Sequence, residues 1–537
     1  MLPRSRSFRV APLSPLKAGP SGSPPPLPAP RWSAGPRVLT VIGWLAVLAG
    51  LALRLYDVGG KSLWFDEVAT VSIIAHPWRE VAGLIDDAPP LFFYYLKAWM
   101  TVRETTGWLH AATAVMCSGT VLFTWLWTRR AFGVAVGVTA TLFCAVSTYL
   151  IFYAQFVRMY PMMGVFCIAS LIPLCRAVET NRRAWWAVWT LSVLLCLYTF
   201  YYAAFFLLGA GVWALVIALR RRALLPPLLL SCLVIALAFA PLLPTVIYQE
   251  THNSGARSWI GRPGLGALRS TFDQYTFYVG AGVPHLRDAL IALLVLGLIL
   301  PGERKERALL LLVLISGVLL PFAISRVATP LYDPRYAIYG AVPVLALISR
   351  GLLQGVRQGA AALRLAPRVA AAVATLAVVM YLALSVRPLQ RLYTDPLYGQ
   401  ADLRDVAAML VHDHARYPND AVLGDDGFSI LPLLWYSYTL GGPGARHLSR
   451  PYYWVPDAWI QQAPLIERIS PRPFPRTAAW LPKDRSGRLW LINMVNFRGG
   501  DSPTHHPAWF TPPANQWRQI GQSTDYFGVY LREYVRR

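Results

Sequence analysis

Acidic residues are scarce in this chain. Only 27 Asp and Glu occur among 537 residues, and charged residues of all kinds reach 14%, against about 25% in soluble domains. That excludes an ordinary soluble protein. Lysine is rarer still: Lys17, Lys61, Lys97, Lys305 and Lys483 are five of the 50 basic residues, and the other 45 are arginines, a bias that fits a GC-rich genome. The net charge of +23 would suit nucleic acid if the basic residues shared one polar face. They are instead spaced between apolar runs, so no nucleic acid partner is expected. Cysteine is sparse too. Cys117, Cys144, Cys167, Cys175, Cys196 and Cys232 all fall inside apolar runs, which indicates packing as small hydrophobes rather than a disulfide framework or a zinc site.

What the chain has in abundance is apolar sequence, at 55% hydrophobic residues. Residues 1 to 36, rich in Pro, Ser and Arg, cannot bury enough apolar surface to fold alone and read as a disordered basic tail. Val38 to Leu55 is long enough to span a bilayer and lacks a cleavage site, so it reads as a first membrane helix. Further spans are expected near 109–128, 131–150, 159–177, 184–200, 202–219, 224–248, 286–301, 308–325, 334–350 and 369–386, about eleven in all. Arg129 with Arg130, Arg182 with Arg183, Arg220 to Arg222, Arg304 to Arg307 and Arg357 to Arg368 then share one side. Short cytoplasmic loops carry such an excess, so the N-terminus is placed in the cytoplasm. This parity requires that the aromatic-rich run from Pro90 to Val102 does not cross, and Leu91 to Val102 is read as an interfacial helix at the outer surface. Residues 37–386 thus form the membrane domain. Residues 387–537 form a small extracytoplasmic α/β domain, with a helix over 401–414 and strands at 421–423, 489–495 and 527–531.

Charges held near a membrane are costly, so those gathered on one face mark the candidate site. The first outer loop carries Asp66 and Glu67, then Asp86 and Asp87 just before Pro89 and Pro90. Two other outer loops supply Arg158 with Tyr160, and Arg335. Carboxylates and guanidinium groups at one face suit deprotonation of a hydroxyl beside an anchored phosphate. The two acidic pairs also leave room for a divalent metal ion held by oxygen ligands. Each charge has a plainer reading as a loop charge, a headgroup anchor or, for Glu67, a helix cap. His76, His412, His414, His505 and His506 lack partners at ligand spacing and are assigned no metal. The run Tyr198, Phe200, Tyr201 and Tyr202 reads as an aromatic belt, outside the site.

Ser62-Leu63-Trp64-Phe65-Asp66-Glu67, the Asp-x-x-Pro-Pro-Leu element ending at Leu91, Gln155-x-x-Arg158-Met159-Tyr160 and Pro334-Arg335-Tyr336 together resemble the GT-C glycosyltransferases. The likeness is to the protein mannosyltransferase and aminoarabinose transferase group, glycosyltransferase family 39 and its neighbours, with Ala88 where many members have histidine. The resemblance covers about 38–386. It implies a GT-C-like polytopic helical fold and transfer of a mannose-like or other sugar from a polyprenyl phosphate at the outer face, with Asp66 as the catalytic base. The expected acceptor is a hydroxyl of a protein, lipid or glycan, with Glu67 beside the base, Arg158, Arg335 and Tyr160 at the donor phosphate, and Asp86 or Asp87 at the acceptor or a metal. The expected place is a bacterial plasma (inner) membrane, in contact with membrane lipids. A polytopic transporter or lipid flippase is the alternative, and a noncatalytic envelope scaffold a third.

Overall fold

The computed structural model describes residues 35–85, 88–252, 260–278, 280, 282–395, 398–399, 402–416, 420–424, 431–433, 435–436, 488–494, 514–523 and 529–537. The tail at 1–34, and Asp86 and Asp87, lie outside these residues. The first eight helices are α1 (Pro36–Leu55), α2 (Phe65–Ile74), α3 (Trp78–Leu84), α4 (Leu91–Met100), α5 (Thr106–Ala131), α6 (Val134–Val146), α7 (Thr148–Ala154) and α8 (Met159–Thr180). Proline begins α1, where its missing N–H costs nothing. The 20 residues that follow reach about 30 Å, the thickness of a bilayer core.

Among the described residues eight helices are long and apolar enough to cross a membrane, or nine when α6 and α7, bent by 56° at Ser147, count as one broken span. This is a multi-pass membrane protein. The expected spans near 184–200 and 286–301 form helices of 17 and 14 residues, Arg183–Thr199 and Leu286–Ile299. The run Pro90 to Val102 yields only the ten residues of α4, too short to cross. The last span runs from Pro367 through Pro388 to Thr394, beyond its expected end at 386.

Buried polar groups explain the irregular places. The break between α6 and α7 frees carbonyls that no helical N–H meets. Arg54, fully buried at the end of α1, donates to the carbonyls of Cys144 (3.2 Å) and Ala145 (3.4 Å) there. In the span Arg304–Val327, five residues of π-helix, Ile315–Leu319, precede Pro321, where the wider turn accommodates a ring that clashes with a regular one. The most enclosed of the described spans is Ile338–Ala362, buried in 89% of its most apolar 18 residues. Its Gly351 and the Gly297 of Leu286–Ile299 meet across a crossing where an added Cβ would strike the opposite backbone.

The arginine-rich loops gather at one end of the bundle. Arg130 bonds Glu179, Asn181 Nδ2 donates to the Ala223 carbonyl at 3.2 Å, and Trp213 Nε1 donates to the Lys305 carbonyl at 2.8 Å. The candidate loops lie at the other end, since α5 runs from Thr106, beside the C-terminal domain, to Arg130, roughly 35 Å away at about 1.5 Å per residue.

The C-terminal domain has a helix, Leu403–Arg416, and strands β1 (Ala421–Gly424), β2 (Arg488–Met494), β3 (Trp517–Ser523) and β4 (Val529–Arg536). Their order is β1-β2-β4-β3, with β1 parallel to β2 and the other pairs antiparallel. The α/β class holds, with β3 added to the expected strands and the last strand continuing to Arg536. Arg488 fixes the assembly by bonding Asp413, Asp420 and Glu533 together.

Candidate active site

Asp66 and Glu67 occupy the first turn of α2, where carboxylates favour the positive end of the helix dipole. Glu67 is fully buried. Its Oε2 accepts the backbone N–H of Trp64 at 2.9 Å, one half of a capping box. Its Oε1 accepts the N–H of Val157 at 2.7 Å and lies 3.3 Å from His110 Nε2. The other ring nitrogen of His110 faces the Val58 carbonyl at 3.0 Å. Glu67 therefore joins three segments, namely the head of α2, the turn before Arg158, and α5. The next motif residue inward, Gln155, donates to the carbonyls of Arg54 (3.1 Å) and Tyr56 (2.8 Å), fixing the end of α1 to the same turn.

Asp66 is half-buried beside it. Its backbone carbonyl accepts from Thr70 Oγ1 at 2.9 Å and from Arg158 Nη1 at 3.3 Å, and the same Nη1 donates to Thr70 Oγ1 at 2.9 Å. Arg158 is thus bonded to the helix that carries Asp66, 92 residues earlier. Its guanidinium also lies 5.8 Å from the centre of the Tyr160 ring.

Arg335 reaches that ring as well, at 5.9 Å. It sits in a tight turn in which Asp333 Oδ1 accepts the Arg335 N–H at 2.9 Å and lies 3.3 Å from its Nε. Tyr149 holds the turn from below, donating to the Pro334 carbonyl at 2.7 Å. Burial disfavours the Arg335 cation, but Asp333 and the surrounding tyrosines outweigh it and raise its pKa above the ordinary arginine value. The site therefore keeps a fixed positive charge there.

Tyr160 is the hub. Phe200 packs against it at 5.4 Å and Tyr336 at 5.2 Å, and Tyr202 closes the group at 4.9 Å from Tyr336 and 5.6 Å from Phe200. Phe200 and Tyr202, expected in an aromatic belt, instead sit in this cluster of rings. Asp66 exerts a small electrostatic effect on Tyr336. No signal in the sequence marks His110.

The C-terminal domain reaches the loop between α1 and α2. Arg404 donates to the carbonyls of Gly59 (2.9 Å) and Gly60 (3.3 Å), and the Leu63 N–H donates to the Tyr436 hydroxyl. Both contacts fall within seven residues of Asp66. Among the described residues no three His, Cys, Asp or Glu side chains gather as a metal site.

No protein-family model and no curated protein matches the sequence. Among solved structures the chain is similar to ArnT from Cupriavidus metallidurans bound to undecaprenyl phosphate, with a TM-score of 0.55 and 13% identity over 91% of this chain and 98% of that one. It is equally similar to the apo state of the same protein, with a TM-score of 0.55 and 14% identity over 92% and 98%. A likeness at this identity speaks for the fold, which this chain shares with ArnT over most of its length.

Proposed function

We propose that the chain is an inverting membrane glycosyltransferase that moves a sugar, mannose-like or other, from a polyprenyl phosphate to an acceptor hydroxyl. The observation that carries this reading is the pair Arg158 and Arg335, at 5.8 Å and 5.9 Å from the centre of one buried ring, with Arg158 bonded to the helix that bears Asp66. Two guanidinium groups brought together from loops 177 positions apart suit a phosphate. The solved ArnT structure holds undecaprenyl phosphate, which accords with such a donor.

In this mechanism Asp66 takes the proton of the acceptor hydroxyl while its oxygen bonds to the anomeric carbon. The bond from that carbon to the phosphate oxygen breaks, and polyprenyl phosphate leaves with both electrons, inverting the centre. Arg158 and Arg335 stabilise the charge that shifts onto the leaving oxygen, worth a few kcal/mol in barrier height. Tyr160 holds the two cations, and Glu67 holds Asp66 and Arg158 in register. Glycosyl transfer, unlike transport, asks for no ionisable path through the spans. The deeply buried arginines there, Arg54 and Arg350, both donate to backbone carbonyls. The positive-inside rule puts the arginine-rich end in the cytoplasm and the site outside a plasma (inner) membrane. The acceptor is a protein, lipid or glycan hydroxyl, and Asp86, Asp87 and a divalent ion are candidates for holding it.

The test is transfer of label from a panel of polyprenyl-phosphate sugars by the purified chain in lipid, with membrane extract as acceptor and a chelator arm. Transfer that vanishes in Asp66→Asn while polyprenyl phosphate still binds supports the mechanism. Equal transfer by Asp66→Asn removes the base assignment.

A further inference from the structure

Five residues before Asp66, a half-buried lysine has its ammonium enclosed in a way that nothing in the donor site explains. Among the described residues Lys61 Nζ is shut off from solvent and meets no hydrogen-bond acceptor. It lies instead 5.2 Å above the centre of the Phe152 ring. A ring face compensates part of the lost hydration of an ammonium but offers none of the three acceptors it uses in water. The neighbouring chain is not loose enough to leave the group stranded by accident. Arg404 holds the carbonyls of Gly59 and Gly60 on one side, and Tyr436 holds the Leu63 N–H on the other.

A second orphan donor stands on the same row of rings. Phe156 stacks on Phe152 at 6.4 Å, and Trp64 packs on Phe156 at 6.0 Å. The Trp64 indole Nε1 is also buried and, among the described residues, has no acceptor. Two unspent donors along one row of rings ask for an oxygen ligand, and the ammonium asks for an anionic one. Tyr153 joins this row to the donor site, meeting Phe152 edge-on at 5.1 Å and acting electrostatically on Arg335.

We propose that Lys61 and Trp64, over Phe152 and Phe156, form a second anion subsite beside the arginine pair, taking a phosphate or carboxylate oxygen of a substrate. Resting on the glycosyltransferase reading, this gives the site two anion contacts. The second anion belongs either to the acceptor or to the donor. Burial pulls the Lys61 pKa down to about 8, against the opposing pull of Asp57 and Glu67, the charged groups that face it; α7 contributes rings. A bound anion restores the cation, so affinity at this subsite falls as pH rises through about 8.

The experiment uses the purified full chain in lipid nanodiscs, wild type, Lys61→Met, Lys61→Arg and Arg335→Met, with sulfate as the probe because it does not titrate in this range. The expected result is that sulfate raises the melting temperature of Lys61→Met, which keeps the arginine pair, by clearly less than that of wild type and Lys61→Arg, while Arg335→Met keeps the part of the response that Lys61→Met loses. The wild-type effect shrinks from about pH 7 to about pH 9, and that of Lys61→Arg does not. Kinetics then identify the source. A tenfold rise in acceptor KM in Lys61→Met, with donor KM within twofold and rescue by Lys61→Arg, assigns the anion to the acceptor. A tenfold rise in donor KM with equally weakened polyprenyl phosphate binding assigns it to the donor. If Lys61→Met matches wild type in sulfate response and in both KM values, the subsite is overturned and Lys61 is a packing residue. Should wild type transfer no sugar at all, the glycosyltransferase reading fails, and the sulfate comparison still decides the subsite.

Discussion

Glu67 accepts the backbone N–H of Val157 at 2.7 Å, and the next residue along that turn is Arg158. One buried carboxylate thereby sets the distance between the helix bearing Asp66 and the cation it works with. The two adjacent acids should respond differently to substitution. Glu67→Ala strands the N–H groups of Trp64 and Val157 in the interior, at about 1–3 kcal/mol each. It is expected to lower the melting temperature by several degrees and weaken polyprenyl phosphate binding as Arg158 drifts. Asp66→Asn is expected to abolish transfer with the melting temperature and lipid binding unchanged. Thermal melts and lipid titration on the same preparations separate the two; a Glu67→Ala protein as stable as wild type would refute the linking role.

The guanidinium groups of Arg158 and Arg335 lie 5.8 Å and 5.9 Å from the centre of the Tyr160 ring. Tyr160→Phe should therefore keep donor affinity within about threefold, whereas Tyr160→Leu should lose about tenfold, the scale of one desolvated cation–π pair. Arg158→Met and Arg335→Met should each cost about 10–100-fold, the value of a charge-assisted hydrogen bond to phosphate. Binding titrations with a short-chain polyprenyl phosphate check the series. Identical losses for the two Tyr160 variants would show that the hydroxyl matters instead.

The motif residues were legible because they lie in short, recognisable strings, and the spans because hydropathy and arginine spacing agree. Contacts between distant strings were not. Glu67 reads as either an acid or a cap, since its partners His110 and Val157 stand 43 and 90 residues away. Phe200 and Tyr202 look like any aromatic belt until the turn at Asp333 to Tyr336 returns against them. The last span, expected near 369–386, continues through Pro388 to Thr394, since hydropathy marks the apolar stretch and not the polar turns that extend it. Strand β3 escaped because it is bulged between Gln519 and Gly521 and its side chains are mostly polar.

Arg404 and Tyr436 act on the loop between α1 and α2 from a domain about 340–370 residues further along the chain. Their loss should loosen the approach to Asp66 without touching the arginines. Tyr436→Phe and Arg404→Met are expected to lower kcat about tenfold while polyprenyl phosphate affinity stays within twofold, a ratio that steady-state kinetics and lipid titration read separately. If affinity falls in step with kcat, the domain shapes the donor site as well.

At the other end of the argument stands the crossing of Leu286–Ile299 with Ala341–Ala362. Gly297 faces the Leu347 carbonyl and Gly351 faces the Leu293 carbonyl, so each helix presents a glycine to the backbone of its neighbour. Inside a bilayer, contact of this kind replaces the hydrophobic drive that lipid does not supply. A methyl at either position has no flexible side chain to push aside and must separate the backbones. Gly351→Ala is expected to cost about 1–3 kcal/mol, the usual scale of overpacking, and Gly351→Leu to prevent accumulation of folded protein. Because Ala341–Ala362 is the most enclosed span and follows directly from Arg335 and Tyr336, the alanine variant should also weaken polyprenyl phosphate binding through displacement of Arg335. Gly359→Ala, on the same helix with nothing near its added methyl, is the control and should leave both melting temperature and binding as they are. Equal stability of Gly351→Ala and Gly359→Ala would mean that the two helices do not meet as closely as this crossing requires.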